Sequence, residues 1–189
     1  MKTRKNTLII CILVTLALLV SCGAAAPEAA VDGYLKACMN LDFAKMNEYF
    51  PSSNTTEIPA DDAAFTNLMK RLKYKINGSE VSGDTATVEV TIIALDMKTI
   101  IGEIVSDLLG QAFTHIGDED FDSEDYMNEL LSEKMSAEDA PTVTNDVTVN
   151  LEKDASGKWI ISSEEKNIDF LNVLTGDLMS IADSFGVND

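Results

Sequence analysis

The chain changes its hydrophobic period several times, and each change marks an element. Leu8 to Val20 is an apolar run, interrupted only by Thr15, behind Lys2, Arg4 and Lys5. It is shorter than the roughly 20 residues a membrane-crossing helix needs. After the small residues Gly23 to Ala30, the apolar positions Val31, Tyr34, Leu35 and Cys38 recur at helical spacing. Asn40-Leu41 breaks that stripe, and Asp42 is placed to cap a short helix carrying Phe43, Met46 and Phe50. Pro51 to Asn54 ends it. Asp61 or Asp62 then caps a third helix, with Phe65, Leu68, Met69 and Leu72 at i, i+3, i+4 and i+7.

From Tyr74 the period becomes two. Tyr74 and Ile76 open a strand, Ser82-Gly83-Asp84 turns the chain, and Ala86, Val88, Val90, Ile92 and Ala94 alternate with Thr87, Glu89 and Thr91. A second hairpin follows the same rule. Val147, Val149 and Leu151 alternate with polar residues, Asp154 to Gly157 form the turn, and Trp159 and Ile161 return the chain. Alternation puts Val90, Val149 and Trp159 on one helix-facing side of one sheet.

Between the hairpins, Ile100, Ile101, Ile104, Leu108, Phe113 and Ile116 form a helical stripe ending near Gly117. Asp122 or Ser123 starts the next helix, with Met127, Leu130, Leu131 and Met135. A last helix is expected from Ile168 to Ala182, with Leu171, Leu174, Leu178 and Ile181 on its apolar stripe. The order predicts an α+β fold: a curved antiparallel sheet of hairpins, helices on its concave face, and an inserted helical pair over residues 98–139. There is no repeat or low-complexity stalk, so residues 31–189 read as one domain.

Leu19-Val20-Ser21-Cys22-Gly23, an aliphatic residue and a small residue before Cys, resembles the lipobox of bacterial lipoproteins. That resemblance implies a signal peptide over residues 1–21, lipidation of the Cys22 thiol with acyl chains of the palmitate kind, and a tether over residues 22–30. It implies a place on the outer face of a bacterial, Gram-positive, cell membrane. The leader carries three of the 14 basic residues and none of the 32 acidic ones. The mature chain then holds 11 basic against 32 acidic residues, a net charge of −21. Such a surface excludes nucleic acid as a partner and disfavours adsorption to anionic lipid, so membrane contact falls to the anchor. With Cys11 removed and Cys22 lipidated, Cys38 has no intrachain partner and reads as a buried structural thiol.

Val31-Asp32-Gly33-Tyr34-Leu35, the Asp42 cap, Phe50 and Pro59 resemble the helix pair and first strand of the nuclear transport factor 2-like (cystatin-like) cone fold. The pattern is similar to that of small Gram-positive surface lipoproteins with such a domain. In the ketosteroid isomerases of that superfamily, Tyr34 would stand at the oxyanion-hole tyrosine. Their general base would fall on Ile58, which accepts no proton, and Glu57 beside it points to the other side of a strand. Tyr34, Val90, Val149 and Trp159 are therefore expected to line a cone pocket without performing catalysis.

Two further features carry weaker chemistry. His115, the one histidine, has no second ligand or nucleophile at a useful spacing. Asp118, Asp120, Asp122, Glu124 and Glu129 occupy positions 1, 3, 5, 7 and 12 of a calcium-loop window. Ser123 replaces the glycine of position 6, however, and Asp125 the usual hydrophobe of position 8, so a charged helix start is the expectation and no metal or cofactor is expected. The methionines, among them Met97, Met127 and Met135, fall on apolar stripes as adaptable packing. The sequence thus predicts a lipid-anchored, non-enzymatic surface domain binding a small ligand or a surface protein. An isomerase or hydrolase of the same superfamily and a calcium-binding surface protein are the alternatives.

Overall fold

The computed structural model describes residues 26–51, 63–114 and 122–178. Cys22, Glu57 to Pro59, the Asp61 or Asp62 cap, His115, Asp118, Asp120 and Ile181 lie outside the described residues.

Helix α1, Pro27–Asn40, begins four residues before the stripe at Val31. Proline suits the first turn, where its fixed φ is helical and no N–H is needed. Pro27 and Ala30 are buried, so the end of the stretch read as a tether belongs to the fold. Leu41 ends α1 in the left-handed conformation (φ 57°). Asp42 then caps α2, Phe43–Tyr49, accepting the Lys45 N–H at 3.1 Å as predicted. The two helices lie close because Gly33 has no side chain: a Cβ there would stand 2.4 Å from the Tyr49 ring.

Helix α3, Ala63–Lys70, leads into strands β1, Lys73–Ser82, and β2, Thr85–Leu95, joined through Gly83 (φ 63°). Helices α4, Met97–Thr114, and α5, Ser123–Ser136, precede β3, Thr142–Lys153, and the short β4, Trp159–Ile161. A 3-10 turn, Glu164–Asn167, enters α6, Ile168–Leu174. The fold is α+β, with one open antiparallel sheet of order β1-β2-β3-β4.

Register explains which face is buried. Val88 lies opposite Val149 and Val90 opposite Val147 across β2 and β3, and Tyr74 and Ile76 of β1 face Ile92 and Val90. These positions, with Trp159 and Ile161, share the face covered by α1 and α6. Val31, Leu35, Val88, Val90, Ile92, Val149 and Phe170 are sealed from solvent. Each such side chain contributes about 1.5–3 kcal/mol of apolar burial. The opposite face is polar, with Thr91 donating to Asp146 and Thr148 to Glu89.

The last helix departs from its predicted course. The leucine spacing suggested continuity to Ala182, but α6 stops at Leu174, and Gly176 and Asp177 both take φ 64°. Glycine just past a helix end is the usual stop, and here it is also sterically required. A Cβ on Gly176 would lie 2.0 Å from the Leu95 carbonyl oxygen. Before α6, buried Asn167 acts as a piece of missing strand. Its Oδ1 accepts the Asn150 N–H at 2.8 Å, and its Nδ2 donates to the Asn150 and Ser162 carbonyls.

Candidate functional site

The helical pair α4–α5, between β2 and β3, does more than add to the core. Ile100 and Ile104 of α4 and Met135 of α5 are buried in the core, while Ile101 and Leu108 are half-buried and Val105 and Met127 exposed. An 18-residue helix whose apolar positions run this far around its surface has more greasy area than one contact covers. The surplus forms a wall. With Phe65 and Leu68 of α3 and Met127, Leu131 and Met135 of α5 it encloses a cleft of about 470 Å³.

Position, spacing and side-chain type all shape that cleft. Ile101, Ile104, Val105 and Leu108 recur at i, i+3, i+4 and i+7 on α4, and Met127, Leu131 and Met135 at i, i+4 and i+8 on α5. Thr175 and Leu178 also line it, and the Thr175 hydroxyl is bonded to the Leu171 and Asn172 carbonyls. The lining therefore offers carbon and methionine sulfur rather than acid–base groups.

Charged groups fix the frame outside the greasy wall. Arg71, just after α3, donates to the carbonyls of Ala137 at 2.7 Å and Glu138 at 3.2 Å, beyond the C-terminus of α5. That end of a helix carries partial negative charge, so a guanidinium suits it. Lys134 of α5 bridges Glu103 and Asp107 of α4, each at 3.1 Å, and those two carboxylates hold its ammonium above its ordinary pKa. Two helices and the end of a third are thus clamped around one opening.

The residues expected to line a cone pocket are elsewhere. Tyr34, Val90, Val149 and Trp159 are packed in the core, and none borders the apolar cleft. The correction is one of packing: α1 and α6 fill the space over the sheet that an open cone would leave. Tyr34 meets Phe50 edge-on at 5.7 Å and Phe170 at 5.9 Å, and its hydroxyl pairs with Cys38. Burial pushes the Tyr34 hydroxyl well above its usual pKa and the Cys38 thiol up to about 12, and Cys38 is buried as expected of a structural thiol.

The described part of the acidic window, from Asp122 onward, takes a course unlike a calcium loop. Asp122 accepts the Asp125 N–H at 3.2 Å, a cap for α5, and the chain is helical from Ser123 onward. A calcium loop turns sharply at position 6 and supplies a backbone carbonyl from position 7, which a helix commits to its own ladder. Glu129 is exposed two turns along that helix. Among the described residues no group of three His, Cys, Asp or Glu side chains is placed to hold a metal ion.

The cleft itself was only half visible beforehand. Its α4 and α5 residues were predicted as apolar stripes, but as core. The usable signal was Val105, an apolar residue beside an already complete stripe.

No protein-family profile matches the chain, and no curated protein matches it. Among solved structures, YcdA of Bacillus subtilis, a candidate lipoprotein, is similar at 16% identity with a TM-score of 0.44. The alignment covers 82% of this chain and 47% of that one, so the chain spans less than half of that structure. A likeness this loose assigns neither a role nor a fold family.

Proposed function

We propose that the protein is a lipid-anchored surface protein that holds an apolar small molecule, of acyl-chain chemistry, in the cleft between α3, α4 and α5, and performs no catalysis on it. The observation that carries this reading is the cleft. Its volume lies within the roughly 300–1,000 Å³ of small-molecule sites, and its walls are almost wholly hydrocarbon and thioether. Met97, Met127 and Met135 give those walls the adaptability that suits a flexible chain. Among the described residues no charged side chain lines the cleft to orient a carboxylate or phosphate, so recognition would be of the apolar part.

The resemblance of Leu19-Val20-Ser21-Cys22-Gly23 to a lipobox supports the anchor. Among the described residues no helix is long and apolar enough to cross a membrane. Cys22 and Pro27 are five residues apart, a reach of at most about 18 Å, so a lipid on Cys22 would hold the domain beside acyl chains. The cone-like reading of the fold belongs with this proposal, supported by the α1–α2 pair and the single covered sheet face.

Titration of the full chain with a fluorescent fatty acid tests the cleft. We expect saturable binding, weakened about tenfold or more by Val105→Asp, which sets an unpaired carboxylate at the mouth. Val105 is 45% exposed, so the variant should fold normally. Binding unchanged in a folded Val105→Asp protein would remove the proposal. For the anchor, Cys22→Ala should leave the precursor uncut and free of lipid, as read by mass spectrometry of membrane fractions.

A further inference from the structure

The sheet has two very different edges. On β1, Lys73 and Lys75 and a register shift between Ile76 and Gly78 interrupt the outer edge, the usual protection against stray pairing. The β3 edge is regular. β4 pairs with only Leu151 to Lys153 of it, and the Asn167 side chain takes the backbone of Asn150. Direction follows from the bonds already made. Lys153 donates its N–H toward Asp84 on the β2 side, while Asn150 bonds outward to Asn167. Residues of the same parity as Asn150 therefore face outward: Thr144, Asp146 and Thr148. None of their backbone N–H or C=O groups is bonded among the described residues. All three residues are exposed.

A second cleft, of about 460 Å³, runs along this free edge between β3 and the start of α6. Its character is opposite to that of the apolar one. Asp146, Asp169, Asn145 and Asn172 border it, with Val147 and Val173 among the apolar residues. Lys166, the cation on its border, is engaged with Glu152 at 3.4 Å. A groove with free strand hydrogen bonds on one side and carboxylates on both walls has one natural occupant.

We propose that the β3 edge from Thr144 to Thr148 is a strand-addition site for an extended, basic segment of a partner protein. The partner's main chain would pair with the outward groups of Thr144, Asp146 and Thr148, and its Lys or Arg side chains would meet Asp146 and Asp169. A second copy of this chain is the poorer occupant. Two-fold antiparallel pairing of this edge with itself would set Asp146 near its own symmetry mate, in a chain of net charge −18. This site stands on observations separate from the apolar cleft.

The test uses a seven-residue peptide of alternating lysine and valine, titrated into the full chain while backbone amide exchange is followed by NMR. Binding should slow exchange at Thr144, Asp146 and Thr148, and leave Val147 and Val149, already bonded to β2, unchanged. The same peptide methylated on alternate backbone nitrogens keeps its charge but loses its donors. It should bind about tenfold more weakly or worse, the loss of one or more hydrogen bonds. Asp169→Asn should weaken the unmodified peptide and flatten its salt dependence without altering the fold. Equal binding of the methylated peptide, no protection at the three amides at saturation, or no binding at all would each overturn the proposal. Protection of these amides in peptide-free protein, rising with protein concentration, would overturn it in favour of self-pairing.

Discussion

The sheet side and the helical annex of this molecule bury similar kinds of residue to different ends. Over the sheet, Val31, Leu35, Val88, Val90, Val149 and Phe170 leave no solvent contact, and rings of Tyr34, Phe50 and Phe170 interlock at 5.7 and 5.9 Å. Around α3, α4 and α5 the same apolar character faces an open cleft. Residue type explains part of the contrast: the three methionines Met97, Met127 and Met135 line the cleft, and their unbranched side chains fill less rigidly than the stiff valines and rings over the sheet. Polar fixings explain the rest. The sheet side is tied from within, by Asn167, while the annex is tied from outside, by Arg71 and Lys134. A region clamped at its rim can keep an unfilled interior.

The largest test of that contrast compares two truncations. Trp159→Ala removes a side chain 4% exposed from the sealed side and should cost about 3–5 kcal/mol, since the surrounding sheet cannot collapse into the void. Leu131→Ala removes a half-buried side chain from the cleft wall, opening an existing space further, and should cost nearer about 1 kcal/mol. Urea denaturation of both variants checks the pair. Equal losses would show that the annex is packed like the core. Solvent-like emission from the single tryptophan in the native protein would contradict the sealed side directly.

How far this division was legible in the sequence depends on the period of each segment. Strands β2 and β3 were readable because alternation from Ala86 to Ala94 and from Val147 to Leu151 admits one buried face only. The Asp42 cap and the Gly83 and Gly157 turns followed from local chemistry. The cleft was not readable in that way. A helical stripe such as Ile101, Ile104, Leu108 says that a face is apolar, not whether the facing helix reaches it. The stop at Leu174 was missed because leucine spacing outweighed Gly176, whose necessity arises from a contact with Leu95 far away in sequence. The Asn167 clasp on Asn150 is likewise a tertiary fact. The pocket expected from Tyr34, Val90, Val149 and Trp159 failed because a one-faced sheet does not tell how completely its helices fill the face.

A middle-sized effect belongs to the rim. Arg71→Ala removes the donors to the Ala137 and Glu138 carbonyls and should cost about 1–2 kcal/mol, the range for hydrogen bonds from a charged group in a partly exposed place. The loss should be local before it is global. Amide exchange ought to rise first along α5 and α4, leaving β2 and β3 protected, because the annex alone depends on this clamp. Uniform acceleration across the sheet would mean that the two regions open together and that the division is only one of appearance. Arg71→Lys should recover little of the loss, since an ammonium cannot fork across two carbonyls in the same way.

The smallest effect tests the sheet side by pH. Asp32 of α1 accepts Lys36 at 2.7 Å and the Tyr74 hydroxyl of β1 at 2.6 Å, tying helix to sheet. Those two bonds, the Lys36 contact first, lower its pKa from the ordinary 3.8. The folded state thus binds this proton less readily than the unfolded chain does. Its contribution is fully present above pH 3.8 and is lost as pH falls through the lowered folded value. The carboxylate is partly exposed, so the contribution at neutral pH should stay below about 1 kcal/mol. Asp32→Asn keeps an acceptor for Tyr74 but cannot titrate. Its stability should fall less steeply than that of the parent between pH 5 and pH 2, the two curves converging at the acid end. Parallel curves over that whole range would show that the α1–β1 tie adds nothing to the sheet side, and that the sealed apolar face holds it alone.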